Sequence, residues 1–376
     1  MDNEIPTGGH SEVLAMLERY IIEVKKNPKI GYAALALVED DQRTASGAVC
    51  GDIKLEARAE LATRSLADHI RERGINRIMP PRDPSAPANY VCYNVPLGSI
   101  CYDFIMWLID AEMQRRRENA PVPLRVYFWF GRNGVDGLYL DEQQQMFEKV
   151  VRPSLALVGA IEDNDAEQGR YHPHRHMKAI TQAARDWGET PPTVKAPQAA
   201  HDAMKQFAGA VTITLREAKS WVHRNSNMEA WRRFAYDLQR EGERVIFVRD
   251  TARAAQRLWN FETCPAASLD LHMRAALYEQ AKANLFVSNG PNTLALFGER
   301  PWLDFVQMEP PESVYYANTP LFWETHVGVK VGEQLPWSKP NQRIVWQSDT
   351  YENIRTAWEA LPLDNVVSFR AKSAAS

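Results

Sequence analysis

Apolar and polar positions alternate in two rhythms along this chain, and the clearest change of rhythm lies at residues 268–305. Leu271, Ala275, Leu277 and Tyr278 recur at helical spacing, and residues 283–287 then form a short apolar run. Ser288-Asn289-Gly290-Pro291-Asn292-Thr293 follows at once, and a second apolar run, 302–306, comes after Gly298 and Pro301. The pattern predicts helix, strand, glycine turn, helix and strand, a unit that builds parallel sheets.

The same grammar recurs upstream. Residues 211–215 predict a strand, and Trp231, Phe234, Ala235 and Leu238 mark the buried stripe of a helix with Asn225 or Ser226 as its N-cap. That helix ends near Gly242, and 245–248 predict the next strand, so the segment reads as a right-handed β-α-β crossover. Residues 342–346 predict a late strand. Asp349 is the expected cap of a helix over 351–361, which by analogy would cross back onto the first half of the chain.

In the N-terminal half, Val13, Leu14, Leu17, Tyr20, Ile21 and Val24 predict an amphipathic helix, with a strand at 31–38 and a helix at 53–73. A strand at 89–96 runs through Leu97-Gly98-Ser99 into a helix at 102–116. Residues 124–130 predict a strand, 142–151 a helix and 154–161 a buried strand. The fold class expected is α/β, with two facing Rossmann-like domains of parallel sheet behind an N-terminal αβ extension. The boundaries expected are 1–80 for the extension, 81–165 for the first domain, 166–205 for a linker, 206–340 for the second domain and 341–376 for a C-terminal wrap.

Composition narrows the class. With 376 residues, 45% hydrophobic and 24% charged, the chain can bury a sizeable core. A net charge of −4 argues against general nucleic-acid binding. Cys50, Cys92, Cys101 and Cys264 lack the pair spacing of a metal site or a disulfide framework, and are read as reduced and mostly buried. No run approaches the roughly 18 apolar residues of a membrane span, and the polar start MDNEIPTGGH is unlike a secretory leader. A cytoplasmic chain is expected, with attachment to the inner face of the membrane left open.

Candidate chemistry gathers at strand ends, where open parallel sheets bind their ligands. Asn289 and Gly290 permit an unusual turn, Pro291 suits a first helical position, and the free N–H groups beyond it favour an anion at 289–293. Arg216 and Glu217 end one strand and Arg249 and Asp250 another. An arginine fork there matches a diphosphate, or pairs with a neighbouring carboxylate in a structural network. Gly98 and Ser99 form the corresponding turn of the first half, and Asp103 begins the helix after it. The glycine-rich loop at 131–137, which contains Asp136, has neither Walker nor dinucleotide spacing. His172, His174 and His176 alternate, but Pro173 and Arg175 interrupt them and no carboxylate or cysteine is spaced to complete a metal site. A basic connector is the preferred reading.

The runs ITLRE at 213–217, RVIFVRDT at 244–251 and MRAALYEQAKANLFVSNGPNTLALFGERPWLDF at 273–305 resemble the second domain of GT-B glycosyltransferases, the heptosyltransferase-like group above all. The resemblance covers about 211–305 and is thinner before it. It implies transfer of a sugar from a nucleotide-diphosphate donor to a glycan, lipid-linked or protein acceptor, with no cofactor, no bound metal and no nucleic-acid partner. It places the donor phosphate on Asn289, Gly290, Pro291, Asn292 and Thr293, with Arg216, Glu217 and Arg249 nearby and Gly98 and Ser99 across the cleft. Where the family carries Asp-x-Gly-Pro-x-His, this chain has Ser288-Asn289-Gly290-Pro291-Asn292-Thr293, without the acid or the histidine. No motif fixes the base; Asp103 and Asp136 are the carboxylates to test. The resemblance also implies that the 162–200 connector and the C-terminal wrap act as hinges. Two rivals are a nucleotide-sugar epimerase, which needs an acid and a base paired about the sugar, and a non-catalytic carbohydrate-binding or scaffold protein of the same fold.

Overall fold

The computed structural model describes residues 85–95, 99–130, 141–172, 177–219, 221–310 and 318–363. The elements expected at 11–26, 31–38 and 53–73, together with Gly98, Asp136, His174 and His176, lie outside the described residues.

Two separate sheets, all parallel, form an α/β structure. The first holds β1 (Tyr90–Asn94), β2 (Arg125–Trp129), β3 (Ile161–Glu162) and β4 (Arg170–Tyr171) in the order β3-β2-β1-β4. The second holds β5 (Val211–Thr214), β6 (Val245–Val248), β7 (Glu262–Thr263), β8 (Ala283–Val287), β9 (Trp302–Phe305) and β10 (Gln342–Val345) in the order β10-β9-β8-β5-β6-β7. Counted within its own sheet, each begins with a strand flanked by the second on one side and the fourth on the other. The chain therefore reverses its winding beside β1 in the first sheet and beside β5 in the second. Doubly wound sheets of this kind open a crevice where the winding reverses.

The central strands β5, β6 and β8 are buried at every position, which explains why apolar residues stand on both of their faces and not on one alone. Period-two alternation sends Val211, Ile213, Phe247 and Leu285 to one face and Ile246, Val248 and Phe286 to the other. On the first face lies α6 (Met228–Arg240), whose Trp231, Phe234 and Leu238 are fully buried. On the second lies α8 (Leu271–Gln280), preceded by α7 (Pro265–Leu269). Polar residues on that face pair with one another: Thr212 Oγ1 donates to Asn284 Oδ1 at 2.7 Å, and the hydroxyls of Thr214 and Tyr278 lie 2.7 Å apart.

In the first unit, α1 (Asp103–Arg117) crosses from β1 to β2, and α2 (Asp141–Met146) runs through a π-helical turn into α3 (Arg152–Leu157). The strand expected at 154–161 is thus mostly α3, and only Ile161–Glu162 is extended. A short apolar run does not distinguish strand from buried helix, and Pro153 in the first turn decides for the helix. β4 draws residues 170–171, expected in the linker, into the first sheet. The connector continues through α4 (Met177–Trp187) and α5 (Gln198–Met204) and is tied to both units: Val194 N donates to Phe297 O at 3.0 Å and Lys195 N to Leu157 O at 2.9 Å.

The two units share one apolar cluster, in which Ile105, Ile109 and Val150 join Ala276, Leu277 and Leu294. The last described helix, α10 (Tyr351–Glu359), packs within the second unit and not back on the first: Trp358 meets Phe234, and Tyr351 donates to Asp237 Oδ2 at 2.6 Å. Its N-cap is Thr350, which accepts from Asn353 N at 3.2 Å. Asp349, the expected cap, instead accepts from Asn227 N and Trp231 Nε1, both at 2.7 Å. Likewise α6 is capped by Asn227 and not by Asn225 or Ser226, which hold the loop before it.

Candidate interdomain site

The crevice of the second sheet lies between the loop after β5 and the loop after β8. Arg224 bridges them, its Nη2 donating to Ser288 O at 3.0 Å. A cavity of about 10 Å³, room for a single water, lies beside this bridge and is lined in part by Asn225, Ser288 and Phe305.

The turn after β8 is built much as the sequence predicts. Asn289 is extended, and its side chain accepts from Asn292 N at 3.1 Å. Pro291 occupies the first turn. Two features differ. Gly290 does not adopt a positive φ; its need is space, since a Cβ there would stand 3.0 Å from Tyr102 Cδ2 and 3.3 Å from Tyr102 Cβ. The helix beyond, α9 (Thr293–Leu296), has four residues, too short for an appreciable dipole at its start. Thr293 and Asn292 are buried, and Asn292 Nδ2 donates to Asp304 Oδ2 at 2.8 Å.

Asp304, on β9, is 1% exposed. Burial pushes its carboxyl up to about 8, against the opposing charge of Arg224 and the Asn292 hydrogen bond. Its Oδ1 has no hydrogen-bond partner among the described residues.

The first unit contributes the segment after β1. Tyr93 hydroxyl donates to Ser99 O at 2.9 Å, and Tyr102 lies against Gly290. Asp103 follows as the first residue of α1, its surface exposed although protein crowds around it. Desolvation raises its carboxyl above the ordinary range, opposed by a Cys101 hydrogen bond and the Arg224 charge. Across the crevice, therefore, a first-unit carboxylate and a second-unit guanidinium feel one another.

The two strand-end arginines chosen from the sequence face inward. Arg216 Nη1 donates to Trp221 O at 2.9 Å and Asn225 Oδ1 at 2.5 Å, bracing the loop in which Trp221 has φ +54°. Arg249 grips Glu217 with Nε, at 2.9 Å, and with Nη2, and gives Nη1 to Gln256 O at 3.2 Å. The Arg249 and Glu217 side chains are 5% and 7% exposed, so this ion pair is internal. Glu217 N donates in turn to Asp250 Oδ2 at 2.6 Å. Arg249 thus forms a carboxylate pair with Glu217, whereas Arg216 bonds a backbone carbonyl and an amide oxygen and not the neighbouring carboxylate expected as its alternative partner.

A different guanidinium was missed. Arg274, on α8, is 3% exposed and gives Nε to Ala267 O at 2.6 Å. It and Tyr278 lie one turn apart on the same helix face, and both interact electrostatically with Tyr102. Nothing in a run of helical spacing distinguishes an inward arginine, although its place opposite Tyr278 in the buried stripe was readable.

His172, the described member of the histidine run, is 2% exposed; its ring nitrogens lie 2.8 Å from Asp110 Oδ2 and 3.0 Å from Gln114 Oε1. It fastens the end of β4 to α1. Among the described residues no group of three or more His, Cys, Asp or Glu is placed to hold a metal, and no helix is long and apolar enough to cross a membrane. Cys92, Cys101 and Cys264 form no disulfide among the described residues, and the first and last are buried.

No family model and no curated protein matches this chain. Among solved structures it is similar to a family 9 glycosyl transferase from Veillonella parvula, at 10% identity and TM-score 0.33 over 69% of this chain and 79% of that one. It is similar to E. coli heptosyltransferase WaaC with ADP-2-deoxy-2-fluoro heptose, at 12% identity and TM-score 0.37 over 72% and 96%. It is similar also to TibC, an iron-containing dodecameric glycosyltransferase from enterotoxigenic E. coli, at 14% identity and TM-score 0.39 over 75% and 79%. At these identities and scores no residue of this chain is matched to a functional residue of theirs.

Proposed function

We propose that this chain is a GT-B type glycosyltransferase that moves a sugar from a nucleotide-diphosphate donor to an acceptor hydroxyl on a glycan, lipid or protein. One observation carries the reading: the segment after β1, with Tyr102 and Asp103, meets the Ser288–Gly290 turn after β8, so the ligand-binding edges of two parallel sheets face one another. A donor spanning that edge would set its diphosphate near the second-unit turn and its sugar toward the first unit.

In this mechanism Asp103 accepts the proton of the attacking hydroxyl. Its raised carboxyl suits the role, because a base nearer the working pH transfers protons more effectively. Charge growing on the leaving diphosphate is met by turn N–H groups and crevice cations such as Arg224, without a metal. The inward commitment of Arg216 and Arg249 favours one rival, a carbohydrate-binding scaffold of the same architecture.

The test is thermal stabilisation by a panel of UDP, GDP, ADP and CMP, followed by product analysis with the matching sugar donor. A ligand at about a hundred times its Kd adds roughly 2.7 kcal/mol, easily read as a shifted melting temperature. Asp103→Asn should keep nucleotide binding and lose transfer by about 10²- to 10⁴-fold. Absence of any nucleotide effect would favour the scaffold; turnover of the donor without an acceptor would favour epimerisation or hydrolysis.

A further inference from the structure

Cations also gather away from the crevice, on α6. Glu229, Arg232, Arg233, Tyr236, Asp237 and Arg240 recur at i, i+3, i+4, i+7, i+8 and i+11, the helix stripe opposite the buried Trp231, Phe234 and Leu238. Alone, such a stripe is a solvated face. Tyr351, which opens α10, stands against it, and together they line an open pocket of about 360 Å³. None of these residues lines the small cavity of the crevice.

Three guanidinium groups meet two carboxylates in this pocket. Asp237 accepts from the Tyr351 hydroxyl at 2.6 Å and from Arg240 Nη2, and Glu229 accepts from Arg232 Nη2 at 2.7 Å. Both ion pairs lie open to water: the Glu229 side chain is 71% exposed and the Arg240 side chain 79%. Exposed pairs three residues apart hold weakly, so Arg232 and Arg240 can turn to a better acceptor. Arg233 is the surplus cation. It is exposed, it forms no ion pair or hydrogen bond among the described residues, and its Cζ lies 3.6 Å from the centroid of the Tyr351 ring. Stacking uses the face of a guanidinium and leaves its in-plane N–H donors available. The platform is itself held, since Tyr351 is tied to α6 through Asp237. Tyr236, 41% exposed, adds an open ring to the same pocket.

We propose that this pocket is a ligand site separate from the crevice, in which Arg233, with Arg232 and Arg240 beside it, binds the phosphate of a phosphomonoester. The charge of the pocket selects that class. A carboxylate would only exchange places with Glu229 or Asp237, one acceptor for another of equal charge. A phosphomonoester carries about 1.5 to 2 negative charges at neutral pH and three acceptor oxygens, enough to engage the Arg233 fork and draw a second guanidinium from its weak pair. The Tyr236 ring is then left for the organic part of the molecule. Soluble sugar phosphates and the headgroup of phosphatidic acid both present this group, and a pocket open to solvent admits either. The site goes beyond the sugar transfer proposed above and does not rest on it.

The experiment uses the full chain, wild type and with Arg233→Ala, Arg233→Lys or Glu229→Gln. Arg343→Ala, at an exposed position of β10 outside the pocket, controls for net charge. Binding of glucose 1-phosphate and of glucose is measured by calorimetry, and sedimentation with phosphatidylcholine vesicles is followed with and without phosphatidic acid. Binding of the phosphomonoester probe should weaken about 10-fold in Arg233→Ala and recover in part in Arg233→Lys. Glu229→Gln, a surface substitution that releases Arg232, should tighten it about 2- to 5-fold. Glucose and plain phosphatidylcholine should not distinguish the proteins. Arg233-dependent binding of glucose 1-phosphate alone supports the site with a soluble ester as its ligand, and of the phosphatidic acid vesicles alone supports it with a membrane headgroup. Equal binding by wild type and Arg233→Ala, or an equal loss in Arg343→Ala, would overturn the site, as would failure of wild type to bind either probe. Should Arg233→Ala not fold, Glu229→Gln still decides, since no gain over wild type would overturn it. Nucleotide binding in the crevice is read separately, by the panel above, and stands or falls apart from these outcomes.

Discussion

Replacing Asp304 by asparagine should make the protein's stability less sensitive to pH, in a direction the structure fixes. The Asp304 carboxyl rises from an ordinary 3.8 to about 8 because it is buried with one hydrogen bond and an Oδ1 that has no partner among the described residues. The native state therefore keeps a proton that the unfolded chain releases. Stability from this group is complete below about pH 4, declines as pH rises, and is gone beyond about pH 8. At about 1.36 kcal/mol per pH unit, the interval from about pH 5 to about pH 8 removes roughly 3 to 4 kcal/mol. Asparagine cannot ionise, and its side-chain oxygen can still accept from Asn292 Nδ2. Urea denaturation of both proteins at about pH 5, 6.5 and 8 gives the difference directly, since other titrating groups cancel between them. Asp304→Asn should gain on wild type by that amount across the series. Parallel stability curves would refute the reasoning, showing that Asp304 is solvated or paired more fully than its surroundings indicate.

Glu217→Ala should cost about 3 to 5 kcal/mol by leaving the buried Arg249 guanidinium unpaired, with little relief from added salt, as chemical denaturation at two ionic strengths would show. Gly290→Ala should destabilise by about 1 to 3 kcal/mol by pressing on Tyr102, and much of that loss should vanish when Tyr102→Ala is combined with it; additive losses would mean the two units do not touch there. Thr350→Ala should remove about 1 kcal/mol of helix capping, whereas Asp349→Ala should remove about 1 to 3 kcal/mol by stranding the Trp231 Nε1 donor, again read from denaturation midpoints.

The chain's own pattern determined the strands and their class. A run such as 245–248 is apolar throughout because both faces of a central parallel strand are covered, and that signal is local. The Ser288–Thr293 turn and the carboxylate that opens α1 were legible because their signals are also local: proline fixes φ, asparagine and glycine tolerate turn geometry, and an acidic residue suits a first helical turn. Local signals also misled where two choices are nearly equal in energy. Residues 154–157 became helix because Pro153 suits a first helical turn, and Thr350 took the cap expected of Asp349 because that carboxylate is engaged by Asn227 N and Trp231 Nε1. Only the tertiary structure decided how the two sheets are wound, that Gly290 is required by a tyrosine 188 residues earlier in the chain, and which arginines are committed. Charge is judged by its surroundings, and those come from distant segments: Glu217 claimed Arg249, Trp221 and Asn225 claimed Arg216, and Arg274 turned inward to Ala267 O.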